Sequence, residues 1–246
     1  MSEVSLTVLI PMHNEEGTIA EVVRRLFTVS FPCPMNVIVI DDASTDGSIK
    51  ALESVPRPDF ERLTLLQRET NGGKGAALAA GLAYVSSSHV AVLDADLELA
   101  PEDLIPLVTP IASGSADAAI GCRAALQGAR LQARLQRLPY ALANSAISRA
   151  FNIKHGSGIR DVMSGYKVLP YYIWREADLR QQGFAVEVEL AQLLVRSDVR
   201  MAQVPVSYLP RSRRDGKKIK ARDAAVALRA IFAADRAQST LGQIIE

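Results

Sequence analysis

What most constrains this chain is an alternation. Short apolar runs rich in Val, Ile and Leu take turns with longer segments of helical periodicity throughout the first half. Parallel strands need a crossover connection, and crossover helices bury both sheet faces. The pattern therefore points to an α/β fold with a mostly parallel central sheet flanked by helices. Strands are expected at residues 5–11, 36–41, 63–67, 89–94 and 117–121, and helices at 15–28, 46–55, 75–87 and 101–112. Asp46 and Pro101 are start signals for two of those helices.

The second half is less regular. A long helix is expected over 131–151, interrupted at Pro139. A loop or strand follows at 161–169, then helices at 171–179 and 186–196 and a strand at 200–208. A basic loop and a closing helix from about Asp223 complete the chain. No repeat, low-complexity tract or Pro/Gly-rich linker divides it, so the 246 residues read as one domain.

Charge and cysteine usage narrow the class. The formal net charge is only +1, yet seven basic residues and one acidic lie between Arg211 and Arg222. One loop shaped around Gly216 for a compact anion fits this better than a nucleic-acid surface, so no nucleic acid is expected as partner. Cys33 and Cys122 stand apart in unpatterned contexts, which suits a reducing compartment rather than a disulfide framework. The opening Met-Ser-Glu-Val has no signal-peptide pattern, and no apolar run is long enough to span a bilayer. A cytoplasmic location is expected, with peripheral attachment to a membrane kept open. Leu131, Leu135, Leu138 and Leu142 form a helical stripe beside Arg130, Arg134 and Arg137. A core-facing stripe is favoured over one resting on an anionic bilayer.

Ligands of open α/β sheets bind at the carboxyl ends of the strands, and the unusual polar residues collect there. The first strand ends in Pro11-Met-His13-Asn14-Glu15-Glu16, and the second in Asp41-Asp42-Ala-Ser-Thr-Asp46-Gly47. The third leads to Asn71-Gly-Gly-Lys74-Gly75, and the fourth ends in Asp94-Ala95-Asp96-Leu-Glu98. Three carboxylates after a buried strand are costly unless a cation joins them, and hard oxygen ligands suit Mg²⁺ or Mn²⁺. The competing reading is a solvated turn capping the next helix. Asp41 and Asp42 divide likewise between helix caps and ligands of a nucleobase or ribose. The Gly-rich turn either brings backbone and Lys74 near a phosphate or is a plain tight turn. His13 would line a nucleobase pocket, while His89 reads as structural. Basic side chains of the Arg211–Lys220 loop would stabilise a departing diphosphate.

Taken together, these segments resemble glycosyltransferase family 2, with the GT-A fold, and within it the dolichyl-phosphate mannosyltransferase/glucosyltransferase-like branch. The resemblance rests on 8–16, 37–47, 71–77 and 93–98. It continues in Asp161-Val-Met-Ser-Gly-Tyr-Lys-Val168, Gly183-Phe-Ala-Val-Glu-Val-Glu189, and Tyr208-Leu-Pro-Arg211 with Gly216-Lys-Lys-Ile219. It implies a nucleotide-diphosphate sugar donor such as GDP-mannose or UDP-glucose, an inverting displacement, and a polyprenyl phosphate acceptor at a membrane surface. A soluble hydroxyl or small phosphorylated acceptor is the alternative. Pro11, Asn14, Glu15, Asp41 and Asp42 would then line the nucleotide pocket, with His13, Lys74, Asp94 and Ala95 alongside. Asp94 and Asp96 would hold the metal, with Glu98 a third ligand. Arg211, Lys217 and Lys218 would act on the donor phosphates. Asp161, Glu187 and Glu189 would shape the sugar and acceptor side, with Asp161 the base for a hydroxyl acceptor. The nucleotide-binding half would run over 1–122, the acceptor half over 123–222, and a C-terminal helix and tail over 223–246. A sugar-nucleotide pyrophosphorylase, a receiver-type signalling module and an inactive donor-binding scaffold are the competing classes.

Overall fold

The structure is a computed structural model, and it describes residues 3–56, 62–123, 131–177, 179, 185–209, 211 and 221–232. Seven strands form one sheet: β1 (Leu6–Met12), β2 (Met35–Asp41), β3 (Leu63–Gln67), β4 (His89–Val92), β5 (Ala118–Arg123), β6 (Lys167–Pro170) and β7 (Met201–Val206). Their spatial order is β3-β2-β1-β4-β6-β5-β7. The β1–β2, β2–β3, β1–β4 and β5–β7 pairs are parallel, whereas β6 runs antiparallel to both β4 and β5. The sheet is thus mixed, and one four-residue strand reverses its direction.

Eight helices surround it among the described residues: α1 (Ile19–Thr28), α2 (Ser48–Glu53), α3 (Gly73–Leu82), α4 (Leu104–Ala112), α5 (Leu131–His155), α6 (Tyr171–Arg175), α7 (Val186–Arg196) and α8 (Ala221–Phe232). Alternate residues of each strand feed opposite faces, as the period of two requires. Leu9, Ile38, Ile40, Val90 and Val92 pack on one face with α3 and α5 to α8. Val8, Ile10, Val37, Val39 and Ala91 pack on the other with α1, α2 and α4. A Pro101–Asp103 3-10 turn precedes α4, with Pro101 at its start.

Two expectations need correction. α5 runs unbroken through position 139, so the expected interruption at Pro139 does not occur. Leu138 and Leu142 are exposed rather than core-facing; the side chains of Leu131, Leu135, Arg134 and Arg137, and all of Arg130, lie outside the described residues. His89, by contrast, is structural: its ring nitrogens stand 2.9 Å from Ser88 Oγ and 3.3 Å from the Asp117 carbonyl. Burial lowers its pKa despite that carbonyl.

Register brings the functional loops to one edge. Met12 pairs with Asp41 at the carboxyl ends of β1 and β2. The Asp42 amide donates to the Met12 carbonyl at 2.8 Å, and the Leu93 amide to the Leu9 carbonyl at 3.0 Å. β2 and β4 leave β1 on opposite sides, so the crevice of a strand-order reversal opens beside β1 and β4.

Candidate active site

Three of the five described non-glycine residues with positive φ lie at this edge: Asn14 at 54°, Ala43 at 58° and Leu97 at 58°. Such backbone strain persists only where surrounding bonds over-determine it, and here they do. The Asn14 amide donates to Ser44 Oγ (2.9 Å), the Glu15 amide to Ser48 Oγ (2.7 Å), and the Glu16 amide to Asp46 Oδ2 (3.2 Å). In return, Asn14 Oδ1 accepts from the Thr45 amide (2.7 Å) and Glu16 Oε2 from the Gly47 amide (2.9 Å). The loops after β1 and β2 are stitched into one wall. His13 joins it, its Nδ1 lying 2.9 Å from the Asp42 carbonyl. Pro11 stands two residues before His13, in β1.

Asp41 and Asp42 are both buried, and both carboxylates cap backbone. Asp41 Oδ1 accepts from the Ser44 amide at 3.2 Å. Asp42 accepts from the Gly72 amide at 3.1 Å and the Gly73 amide at 2.7 Å, and is ion-paired with Arg68. The Asp42 carboxylate therefore occupies the first amides of α3, where the glycine-rich turn otherwise offers an anion site. Gly73, at φ 80°, is needed to make that turn. The segment forms a tight turn whose Gly72 and Gly73 amides are taken by Asp42.

Lys74 turns inward. Its Nζ lies 2.6 Å from Asp94 Oδ1 and 2.7 Å from Glu187 Oε1. Glu187 Oε2 in turn accepts from Lys167 Nζ at 2.5 Å, and Lys167 also donates to the Ser164 carbonyl at 2.5 Å and the Val162 carbonyl at 3.1 Å. A buried chain of alternating charge runs from the turn after β4 into the core. Burial opposes the charge on Lys74, but Asp94 and Glu187 override it and hold the ammonium well above its usual pKa. Glu187 is likewise lowered by Lys167 and Lys74 against burial, whereas burial wins at Lys167 and lowers it.

Asp94, the buried Ala95, Asp96 and Glu98 form the turn after β4. Asp94 Oδ2 closes against Gly165, where an added Cβ would lie 2.5 Å from it. Burial first, then Asp94 and Glu98, push the Asp96 carboxyl up to about 7. Glu98 Oε1 accepts from the Arg211 amide (2.8 Å) and Oε2 from the Tyr208 hydroxyl (3.0 Å). The Arg211 guanidinium reaches across the mouth, donating to the Asp96 carbonyl (2.7 Å), Glu15 Oε2 (2.7 Å) and Thr18 Oγ1 (3.0 Å). Lys217 and Lys218 lie outside the described residues.

The described residues contain no ready-formed group of three or more metal-ligating side chains. The chemistry of the turn still fits Mg²⁺ or Mn²⁺, which bind through one or two carboxylates plus substrate phosphates rather than in all-protein cages. Burial and the neighbouring Asp94 and Glu98 raise Asp96, and a cation at the turn would offset both effects.

Across the crevice, Asp161 is buried and fully engaged. Arg123 donates to it from Nε and from a terminal nitrogen, both at 2.8 Å, and from its amide at 3.1 Å; Asn144 adds a bond of 2.8 Å. Burial would raise the Asp161 pKa, but Arg123 and Asn144 lower it. The Arg123 guanidinium also lies 5.2 Å from the centre of the Tyr208 ring. Arg123 and Asn144 adjoin the site without being flagged by the sequence, while Lys167 and Tyr208 stand in the quoted motifs without an assigned role. Arg123 ends β5 at the same sheet edge, so the strand-end rule that flagged Asp94 applies to it equally.

A mixed sheet with nucleotide-type loops at its parallel edge and an acidic turn after β4 defines a GT-A-like α/β fold. The glycosyl transferase family 2 model matches residues 7–168, and the chain belongs to that family of glycosyltransferases. It is 30% identical over 208 residues to the glycosyltransferase AglJ of Haloferax volcanii, covering 84% of this chain and 64% of that one. The polyprenol monophosphomannose synthase of Mycolicibacterium smegmatis is 28% identical, covering 83% of this chain and 77% of the relative. The chain thus spans less than two thirds of AglJ. Glucosyl-3-phosphoglycerate synthase from Mycobacterium tuberculosis, solved with Mn²⁺, UDP and phosphoglyceric acid, has the same fold. Its TM-score is 0.67 at 18% identity, covering 93% of this chain and 76% of that one. Among the described residues no helix is long and apolar enough to cross a membrane.

Proposed function

We propose that this chain transfers a hexose from a nucleotide-diphosphate sugar to a phosphate-bearing acceptor, with Mg²⁺ or Mn²⁺ held by Asp94 and Asp96. The observation that carries the reading is the turn after β4, which sets Asp94 and Asp96 two residues apart at the carboxyl edge of the sheet with the Arg211 guanidinium on the Asp96 carbonyl. The Mn²⁺ and UDP bound in the complex of the structural relative support it. A bound divalent ion would neutralise charge developing on the departing diphosphate.

The chain's own residues do the rest. Pro11, His13, Asn14, Glu15, Asp41 and Asp42 form the wall proposed to hold the nucleotide. Arg211 uses three of its nitrogens on Asp96, Glu15 and Thr18, which leaves two of a guanidinium's five N–H donors for phosphate oxygens. Lys217 and Lys218 are proposed to join it. Lys74 anchors Asp94 Oδ1 from beneath, and the inverting displacement would proceed on the side of Asp161 and Arg123.

Two acceptors share the phosphate chemistry. A small soluble phosphorylated compound comes first, in line with the fold relative named for glucosyl-3-phosphoglycerate. A polyprenyl phosphate is the second reading, in line with the synthase of M. smegmatis. One geometric observation favours the second: Asp161 is spent on Arg123 and Asn144 and is held ionised by them, and an already ionised phosphate oxygen needs no base. The decisive assay offers UDP-glucose and GDP-mannose with Mn²⁺ to 3-phosphoglycerate and, separately, to polyprenyl phosphate in detergent. Asp94→Ala and Asp96→Ala should abolish donor binding and turnover together. Variants that work as well as the parent would remove the metal and donor from this turn.

A further inference from the structure

Glu98 is the residue whose environment departs most from the role its spacing suggests. Its Oε1 accepts from the Arg211 amide at 2.8 Å, its Oε2 from the Tyr208 hydroxyl at 3.0 Å, and its carbonyl from the Leu209 amide at 2.8 Å. Three bonds from one residue thus bind Tyr208, Leu209 and Arg211 to the turn after β4, across more than a hundred positions of sequence. Arg211 depends on that anchorage. With its backbone fixed there, its guanidinium meets the Asp96 carbonyl, Glu15 and Thr18 at 2.7, 2.7 and 3.0 Å. Tyr208 extends the same attachment, since its ring carries Arg123 from the opposite side of the crevice.

We propose that Glu98 is a positioning residue, a clasp that holds Arg211 over the donor's diphosphate, and that it is not a third metal ligand. This rests on the reading of Asp94 and Asp96 as the metal-holding pair. A hydrogen-bonded carboxylate oxygen keeps a lone pair, but both oxygens here are turned to the 208–211 segment. Rotating either toward an ion would release Arg211 or Tyr208. The two roles are separable because a glutamine keeps a carbonyl oxygen for the Arg211 amide while giving up the anionic ligand.

The test compares Glu98→Gln, Glu98→Ala, Arg211→Ala and the Glu98→Ala/Arg211→Ala double variant. Mn²⁺ affinity is read by electron paramagnetic resonance at saturating UDP, and UDP and GDP affinity by calorimetry with Mn²⁺ and again in EDTA. A clasp predicts Mn²⁺ affinity within about threefold of the parent in both Glu98 variants. Nucleotide affinity should be near parental in Glu98→Gln and about tenfold weaker in Glu98→Ala. The double variant should bind nucleotide no worse than Arg211→Ala, because the two residues act as one unit. A tenfold or greater loss of Mn²⁺ affinity in Glu98→Gln makes Glu98 a ligand and overturns the proposal, as do additive losses in the double variant. Should the parent bind nucleotide but no Mn²⁺, the metal reading of Asp94 and Asp96 fails, and the additivity of the EDTA series alone decides the clasp.

Discussion

Gly165 carries no functional group, yet the site depends on what it lacks. A Cβ there would stand 2.5 Å from Asp94 Oδ2, and Asp94 cannot yield freely because Lys74 holds its other oxygen at 2.6 Å. Gly165→Ala should therefore cost about 1–3 kcal/mol of stability by overpacking and weaken Mn²⁺ binding; parental affinity for both Mn²⁺ and nucleotide would show that Asp94 is mobile. Asp161 makes a different kind of prediction. Its folded pKa is lowered, by Arg123 and Asn144 against burial, so its contribution is complete above the unfolded value of about 3.9. That contribution is lost as pH falls through the lower folded value. Asp161→Asn should remove this acid limb from a plot of unfolding free energy against pH, and should also lower stability near neutrality because Arg123 loses its buried counter-charge. An unchanged limb would assign acid sensitivity to other carboxylates.

Elements meet through the buried charges, and their coupling is measurable. Glu187 opens α7, Lys167 opens β6 and Lys74 sits in the first turn of α3. Removing one partner of a buried pair strands the other, so Glu187→Gln should cost about 3–5 kcal/mol. Burial already lowers Lys167. In that variant the folded lysine sheds its proton while the unfolded one keeps it, and stability should rise with pH up to about 10.4. The Glu187→Gln/Lys167→Met double variant should lose less than the sum of its single changes in denaturant titrations; strict additivity would mean that the two side chains do not interact. This coupling was invisible in the sequence, because no spacing rule links positions 74, 167 and 187. Local patterns did reveal β3 at Leu63–Gln67 and α7 at Val186–Arg196 with the expected bounds, since each depends on its own residues. β6 reads equally as loop or strand from its residues: only four residues long, it owes its direction to neighbours β4 and β5. The acidic turn after β4 was legible as chemistry. The clasp on Glu98 was not, because Tyr208 and Arg211 reach it from over a hundred positions away.

At the scale of the whole molecule, a two-sided sheet places three of its five described positive-φ non-glycine residues at a single edge. The strain at Asn14, Ala43 and Leu97 and the crowded carboxylates of the Asp94–Glu98 turn are held there by the surrounding fold, and Lys74 offsets the turn's charge only at Asp94. A ligand that neutralises the turn should consequently stabilise the entire fold, not only the loops. At a nucleoside diphosphate concentration a hundred times its dissociation constant, linkage gives about 2.7 kcal/mol. For a chain of this length that corresponds to a rise in Tm of roughly 5–11 °C. The rise should require Mn²⁺ or Mg²⁺ and should vanish on addition of EDTA, because without the ion the donor's two phosphates face Asp94 and Asp96 directly. A full-sized shift in EDTA would mean that the diphosphate is held by Arg211 and its neighbours alone, and that the acidic turn serves some purpose other than metal-assisted donor binding.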